Sequence, residues 1–366
     1  MKSVCPRYHR HSIFCILPPH MLDAVARNGS SAQRAAVLST LANDQTFRSL
    51  RASLVGVGQP SHAVRRRGAV SPHLRPPRTI YSARNEETLP GSIVRSEQDG
   101  PSGDPAIDEA FDGLGRTLDF YWSNFERNSI DDEGLPLDAT VHYGDQYDNA
   151  FWDGSRMVFG DGDGELFNRF TIAVDVIGHE LTHGVTEDEA GLIYAHQAGA
   201  LNESLSDVFG SLIKQSEPGK LQTAEEADWL IGAGLLASGV QGVALRSMKE
   251  PGTAYDDPVL GKDPQPEHMN HYAHTQRDNG GVHINSGIPN RAFYLAAKEI
   301  GGYAWEKAGR IWYETLRDSH LRQNTGFSRF ARLTIDVAGR LYGSSSEEKR
   351  AVTSAWTEVG VIKVRR

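Results

Sequence analysis

The stretch His179-Glu180-Leu181-Thr182-His183 constrains this chain more than any other. It reads H-E-x-x-H. On a helix, side chains four apart project from one face, so the two imidazoles can bind one Zn²⁺. The Glu between them then lies about a turn from the metal, where it can act as a general base toward water. The flanking residues support a helix: Val174, Ile177, Leu181 and Val185 follow i, i+3, i+7, i+11, an amphipathic pattern. Gly178 and the β-branched residues lower the intrinsic helix propensity. The pattern therefore predicts a helix held by burial inside a domain. Alone, such a pentad arises by accident in on the order of a few per cent of chains of this composition, so a third ligand is needed.

A candidate follows 20 residues after His183. Leu201, Leu205, Val208, Phe209 and Leu212 again have helical spacing with one apolar face. Glu203 and Asp207 lie i, i+4 on the other side. Glu203 can complete a His₂Glu set with His179 and His183, leaving a fourth position for water. Asp207 can accept the free ring N–H of a ligand histidine and fix its tautomer. An isolated acidic pair would more often be a solvated helix face; the placement after the pentad reverses that preference.

Charge divides the chain. Residues 1–78 carry 12 Lys and Arg against Asp23 and Asp44, while the remaining residues carry 26 against 45, within a total of −9. A basic N-terminal segment beside an acidic body predicts electrostatic docking within the chain; a disordered basic tail is the alternative. The acidic body would repel phosphates, so no nucleic-acid partner is expected. No apolar run approaches membrane-spanning length. Ile13 to Leu17 is too short for the apolar part of a secretory leader, so a usual export route is not visible. Cys5 and Cys15 are the only cysteines. The body therefore has neither disulfides nor a cysteine-rich zinc site, although a thiolate from the N-terminal segment could cap the zinc in a latent form.

The expected organisation is α+β in two lobes. Residues 20–50 read as helical with a break at Gly29-Ser30, and Gly56 to Pro77 has a linker composition that includes Arg65-Arg66-Arg67. Residues 79–165 mix short strands, at Ala139 to Tyr143 and Met157 to Phe159, with turns and a helix near 105–127. Helical patterns dominate from 170 onward, over 289–300, 303–319, 327–342 and 346–357. The expected units are a basic N-terminal segment over 1–52, which the resemblance described below makes a short inhibitory propeptide, a linker and processing region over 53–78, a β-rich lobe with the zinc helix over 79–187 and a helical lobe over 188–366. The metal would then lie in the cleft between the lobes.

From about Arg78 onward the chain resembles the thermolysin-like zinc metalloproteases (gluzincins). The blocks that carry the resemblance are Asn149-Ala150-Phe151-Trp152, Gly160-Asp161-Gly162-Asp163-Gly164, the pentad, and Ala190-Gly191-Leu192-Ile193-Tyr194. Further along come Asn202 to Asp207, Leu245-Arg246-Ser247-Met248 and Asp278 to Gly287. Pro18-Pro19-His20-Met21-Leu22 is similar to the short propeptides of the protealysin branch. The resemblance implies that His179, His183 and Glu203 bind one zinc ion, and that Glu180 is the base. It implies that Tyr194 and His283 stabilise the oxyanion, with Asp278 orienting His283. It also implies that Asn149, the Ala150 carbonyl and Arg246 hold the substrate backbone. Phe167, Phe170, Val176, Ile231 and Leu245 match the pocket for the residue after the scissile bond. All are apolar, so cleavage on the amino side of a bulky hydrophobic residue is expected.

The sequence departs from the family at its calcium sites. Lys214 stands where a helix carboxylate is expected, Leu230 and Ala233 replace two more acidic positions, and Ser96 and Gln98 occupy those of another site. An ammonium cannot coordinate Ca²⁺. Lys214 is therefore expected to replace the ion and to meet Asp175 and Asp228. The resulting expectation is a secreted metalloendopeptidase, a zymogen whose own propeptide blocks the cleft and whose partners are peptide and protein substrates. A monomer is the simplest state. A zinc-bearing pseudoenzyme finds no support, because every catalytic position is filled. A hydrolase of non-peptide substrates is disfavoured by Asn149 and Arg246.

Overall fold

The alternating and helical patterns resolve into a sheet-based lobe followed by a helical one. The computed structural model describes residues 14–42 and 75–363. Cys5 and most of the expected linker lie outside them. The strands β1 (Phe14–Cys15), β2 (Arg78–Ser82), β3 (Ser92–Ser96), β4 (Leu137–Val141), β5 (Ala150–Trp152) and β6 (Arg156–Phe159) form one sheet in the order β1-β5-β6-β4-β2-β3. β4 is parallel to both β2 and β6, and the remaining pairs are antiparallel. Alternation puts Ala150, Trp152, Met157 and Phe159 into the main core. Phe151 and Val158 point the other way, into a smaller cluster with Tyr143 and Tyr147.

Two helices, α1 (Pro19–Asn28) and α2 over 31–42, come from the N-terminal segment. Their break is the expected Gly29-Ser30. Met21, Leu22, Val25 and Val37 are fully buried against the body. α3 (Pro105–Phe125) is capped by the Asp104 carboxylate, which accepts from Ala106 N and Ile107 N. It lies across the sheet and against α4 (Val174–Glu189).

α4 packs on α5 (His196–Gln215), and the C-terminal lobe continues through α6 (Asp278–Asn285), α7 (Gly287–Ile300), α8 (Ala308–Leu316), α9 (Phe327–Tyr342) and α10 (Glu347–Glu358). The helix predicted over 303–319 is shorter. Its first residues form turns in which the Tyr303 and Trp305 rings stack at 4.6 Å. Two-residue strands β7 (Leu230–Ile231) and β8 (Arg246–Ser247) pair Ile231 with Arg246 and fix the latter near α5.

Candidate active site

α4 survives its poor propensity because it buries 12 of its 16 residues. Gly178 is the reason it can approach α5 so closely. A Cβ there would lie 2.6 Å from Ile213 Cδ1 and 3.2 Å from the Gly210 Cα. Reciprocally, a Cβ on Gly210 would lie 2.3 Å from the Asp175 carbonyl oxygen. Two glycines, one per helix, thus bring the pentad face to face with Glu203.

The facing groups converge closely. His179 Nε2 and His183 Nε2 are 3.1 Å apart. The Glu203 oxygens lie 3.4 Å from the former and 3.5 Å from the latter. Ligand bonds of 2.0–2.1 Å in a tetrahedral array would separate ligand atoms by about 3.3 Å, so these three side chains fit one zinc ion. Both Nδ1 atoms are engaged elsewhere: His179 Nδ1 donates to Asp207 Oδ1 and His183 Nδ1 donates to Asn202 Oδ1, each at 2.8 Å. These oxygens accept only, so each ring keeps a proton on Nδ1 and both Nε2 atoms face one point. A cation at that point would be shared by both. The Glu180 carboxylate also lies within reach of both rings. It commits one oxygen to Trp152 N at 3.1 Å, which leaves Glu203 the better third ligand.

Burial disfavours a charged His179, but Asp207 and Glu203 beside it hold its pKa up at about 9. Burial drives His183 down to about 3. Burial also opposes ionisation of Glu203, yet His283, His183 and His179 hold its pKa well below the usual carboxylate range. Glu180 goes the other way, pushed well above that range by burial. Its Oε1 is buried and has no hydrogen-bond partner. It is therefore a carboxylate with raised proton affinity, beside the metal-ligand cluster.

The opposite wall is set by a left-handed turn, with φ of 52°, 49°, 86° and 77° at Asp278, Asn279, Gly280 and Gly281. Asp, Asn and Gly are the residues that adopt this conformation most readily. The turn lets one Asp278 oxygen accept from His283 N at 2.9 Å and the other accept from His283 Nδ1 at 2.6 Å. His283 Nε2 then faces inward, 3.2 Å from the Tyr194 hydroxyl and 3.5 Å from Glu203 Oε1. Tyr194 donates to the same Glu203 oxygen.

The N-terminal segment lies in this cleft. β1 pairs antiparallel with β5, Phe14 opposite Trp152 and Cys15 opposite Phe151. Ile16 N donates to the Ala150 carbonyl at 3.1 Å, and Leu17 N donates to Asn149 Oδ1 at 3.1 Å. Arg246 Nη1 donates to the Ile16 carbonyl at 3.1 Å, while its Nε and Nη2 hold Asp207. These are the three groups that the resemblance gives to the substrate backbone. Cys15 packs its side chain with Tyr143, Tyr147 and Phe151 and presents its carbonyl to His283, so a thiolate cap on the metal is not what this strand provides. Docking of the described part rests on backbone pairing and apolar burial. Most of the basic residues behind the electrostatic expectation lie outside it.

The sequence profile described as "Thermolysin metallopeptidase, catalytic domain" matches residues 73–187, and that described as "Thermolysin metallopeptidase, alpha-helical domain" matches residues 190–361. The chain belongs to the thermolysin family. It is 54% identical over 354 residues to an "Extracellular metalloprotease" of Pectobacterium carotovorum subsp. carotovorum, covering 95% of this chain and 96% of that one. It is 42% identical to an "Extracellular minor metalloprotease" of Serratia marcescens, covering 86% and 88%. The solved precursor of protealysin from Serratia proteamaculans superposes with a TM-score of 0.84 at 55% identity, covering 95% of this chain and all of that one. The protein is thus a thermolysin-family metalloendopeptidase, in a family that uses zinc.

Two polar arrangements around α5 are not fully visible in the sequence. Asn202, beside Glu203, and Asn290, which donates to Asp207 Oδ2 at 2.8 Å, complete the polar shell around the histidines. Asn202 adjoins Glu203 in the block Asn202 to Asp207, whereas Asn290 has no sequence signal. Lys214 Nζ lies 3.0 Å from Asp175 Oδ2 and 2.9 Å from Asp228 Oδ1, and it donates to the Leu230 carbonyl. The backbone at Leu230 thus supplies an acceptor that its side chain cannot. Phe167, Phe170, Val176, Ile231 and Leu245, which the resemblance gives to the pocket, are all buried.

Proposed function

We propose that this metalloprotease is a single-zinc endopeptidase that cleaves on the amino side of bulky hydrophobic residues and is made latent by its N-terminal segment. The observation that carries the proposal is the position of residues 15–17. Their backbone is held by Ala150, Asn149 and Arg246, with the Cys15 carbonyl 3.2 Å from His283 Nε2. A substrate would use the same contacts, so the segment and a substrate compete for one site.

His179, His183 and Glu203 would hold the zinc, which when bound supplies Lewis acidity toward the scissile carbonyl and toward water. Glu180 removes a proton from the attacking water and returns it to the departing amine. Its raised proton affinity suits both transfers. His283 and Tyr194 donate to the oxygen on which negative charge grows. Asp278 fixes the His283 ring, and Asp207 orients His179 while it anchors Arg246. The apolar pocket residues support a hydrophobic residue after the cut. Lys214 takes the place of the calcium in the family's double site. Action outside the cell is supported by the names of the relatives. Maturation would remove the segment by cleavage between Ser49 and Arg78.

The test compares wild type with Glu180→Ala after maturation, measuring zinc content and hydrolysis of casein and a Gly-Leu peptide. Equal zinc with roughly 10²- to 10⁴-fold lower activity in the variant is expected. Undiminished activity would remove Glu180 as the base. A fully active mature protein that retains residues 1–50 would remove the latency.

A further inference from the structure

We propose that the Cys15–Ile16 bond is itself a scissile bond of this active site, cut within the molecule. This rests on the endopeptidase reading above and goes beyond it, since the processing cleavage expected there lies in the linker.

Four contacts bracket this one bond. On its carboxyl side, Ile16 N donates to the Ala150 carbonyl at 3.1 Å, Arg246 holds the Ile16 carbonyl at 3.1 Å, and Leu17 N is fixed by Asn149 at 3.1 Å. On its amino side, the Cys15 carbonyl oxygen accepts from His283 Nε2 at 3.2 Å. A carbonyl oxygen cannot donate, so Nε2 presents a proton to it while Nδ1 presents another to Asp278. This is how a group stabilising charge on that oxygen must be arranged. The neighbouring carbonyls point elsewhere: Ile16 O is on Arg246, and Pro18 O accepts from Met21 N as α1 begins.

The proposed base lies against the strand that pairs with this segment. Glu180 Oε2 accepts from Trp152 N, in the strand residue that pairs with Phe14, while Oε1 is buried and unpartnered. The side chain after the bond, Ile16, is apolar and fully buried. The segment is thus threaded as a substrate and has the preferred residue type after the bond.

In the reaction the water oxygen bonds to the Cys15 carbonyl carbon, the C–N bond to Ile16 breaks, and a proton passes through Glu180 to the Ile16 nitrogen. The second water proton also ends on that nitrogen, so the products are a Cys15 carboxylate and an Ile16 ammonium. The new amine keeps Ala150 O as a partner, and α1 stays buried through Met21, Leu22 and Val25. The cut segment therefore remains docked after the first step, as a product complex.

The experiment strips the full-length chain of metal, restores Zn²⁺ and follows intact masses across a wide range of protein concentrations. The expected result is a fragment ending at Cys15 and a chain beginning at Ile16, formed at a rate independent of concentration. Glu180→Ala should slow it by at least about 10²-fold. Ile16→Asp should suppress it, and Ile16→Val should retain it, which separates loss of the cut from misfolding. A rate proportional to concentration overturns the intramolecular cut. So does mature enzyme that hydrolyses an external Gly-Leu peptide while no chain beginning at Ile16 ever forms; the endopeptidase reading then stands and this inference falls. Absence of both activities overturns the underlying reading and this one with it.

Discussion

Acid should loosen the N-terminal segment through His20. Its Nε2 lies 3.1 Å from the Tyr255 hydroxyl, and its Nδ1 is buried without a hydrogen-bond partner. Burial is the main reason its pKa falls from 6.5 to about 4; His283 and Arg246 push the same way and Asp278 opposes them. The depressed value means that the docked segment binds a proton more weakly than the free one. Docking is therefore complete above pH 6.5 and weakens as the pH falls toward 4. The full difference is about 3 kcal/mol, an upper figure because one edge of the ring is partly exposed. At pH 5 the docking equilibrium should be weaker by about 30-fold than at pH 7.5. Hydrogen exchange at the Ile16 and Leu17 amides, bonded to Ala150 and Asn149, reads this directly. The Glu180→Ala chain keeps the segment uncut for the measurement. After correction for intrinsic exchange, protection at these amides should drop by up to that factor. In His20→Gln most of the drop should disappear. An equal pH dependence in the two proteins would refute the role of His20.

Lys214→Ala should cost roughly 3–5 kcal/mol in denaturant unfolding, because Asp175, only 1% exposed, would lose its counter-charge. A calcium-selective chelator should leave the wild-type melting temperature unchanged; a large fall reversed by Ca²⁺ would return the ion to this site. Asn202→Ala should weaken zinc binding by about 10- to 100-fold, measured by competition with a chelator, and excess zinc should restore turnover. Gly178→Ala has a helix-propensity gain of about 1 kcal/mol set against overpacking of about 1–3 kcal/mol at the Gly210 backbone. Net destabilisation in urea unfolding is expected, and a stabilised protein would contradict the close crossing of α4 and α5.

The metal-binding half of the site was legible because helical spacing carries it. Val174 to Val185 named the α4 face, and Glu203 with Asp207 named that of α5. That both carboxylates are wholly buried was not legible, since an i, i+4 acidic pair has the same spacing on a solvated helix. Asn202 and Asn290 belong to no hydrophobic period and carry no charge, so only the fold reveals them. In the sequence, β1 is only part of the short apolar patch Ile13 to Leu17. Two paired residues are too few to display alternation, and the strand exists only because β5 offers an edge. The overlong prediction around α8 has a similar origin, as apolar residues at Ala304, Ala308, Ile311 and Trp312 repeat alike in a turn and in a helix.

β5 is only three residues long, and β1 covers one side of it. Losing the segment would turn an interior strand into an open edge whose hydrogen-bonding groups recognise any extended backbone. Recognition along that edge is indifferent to side-chain identity, so selection among sequences falls to the apolar pocket. The edge does discriminate by shape: a chain folded into helix or already paired in sheet has no free backbone to offer it. For the mature enzyme, the susceptibility of a protein would then follow how readily a hydrophobic stretch can be drawn out straight.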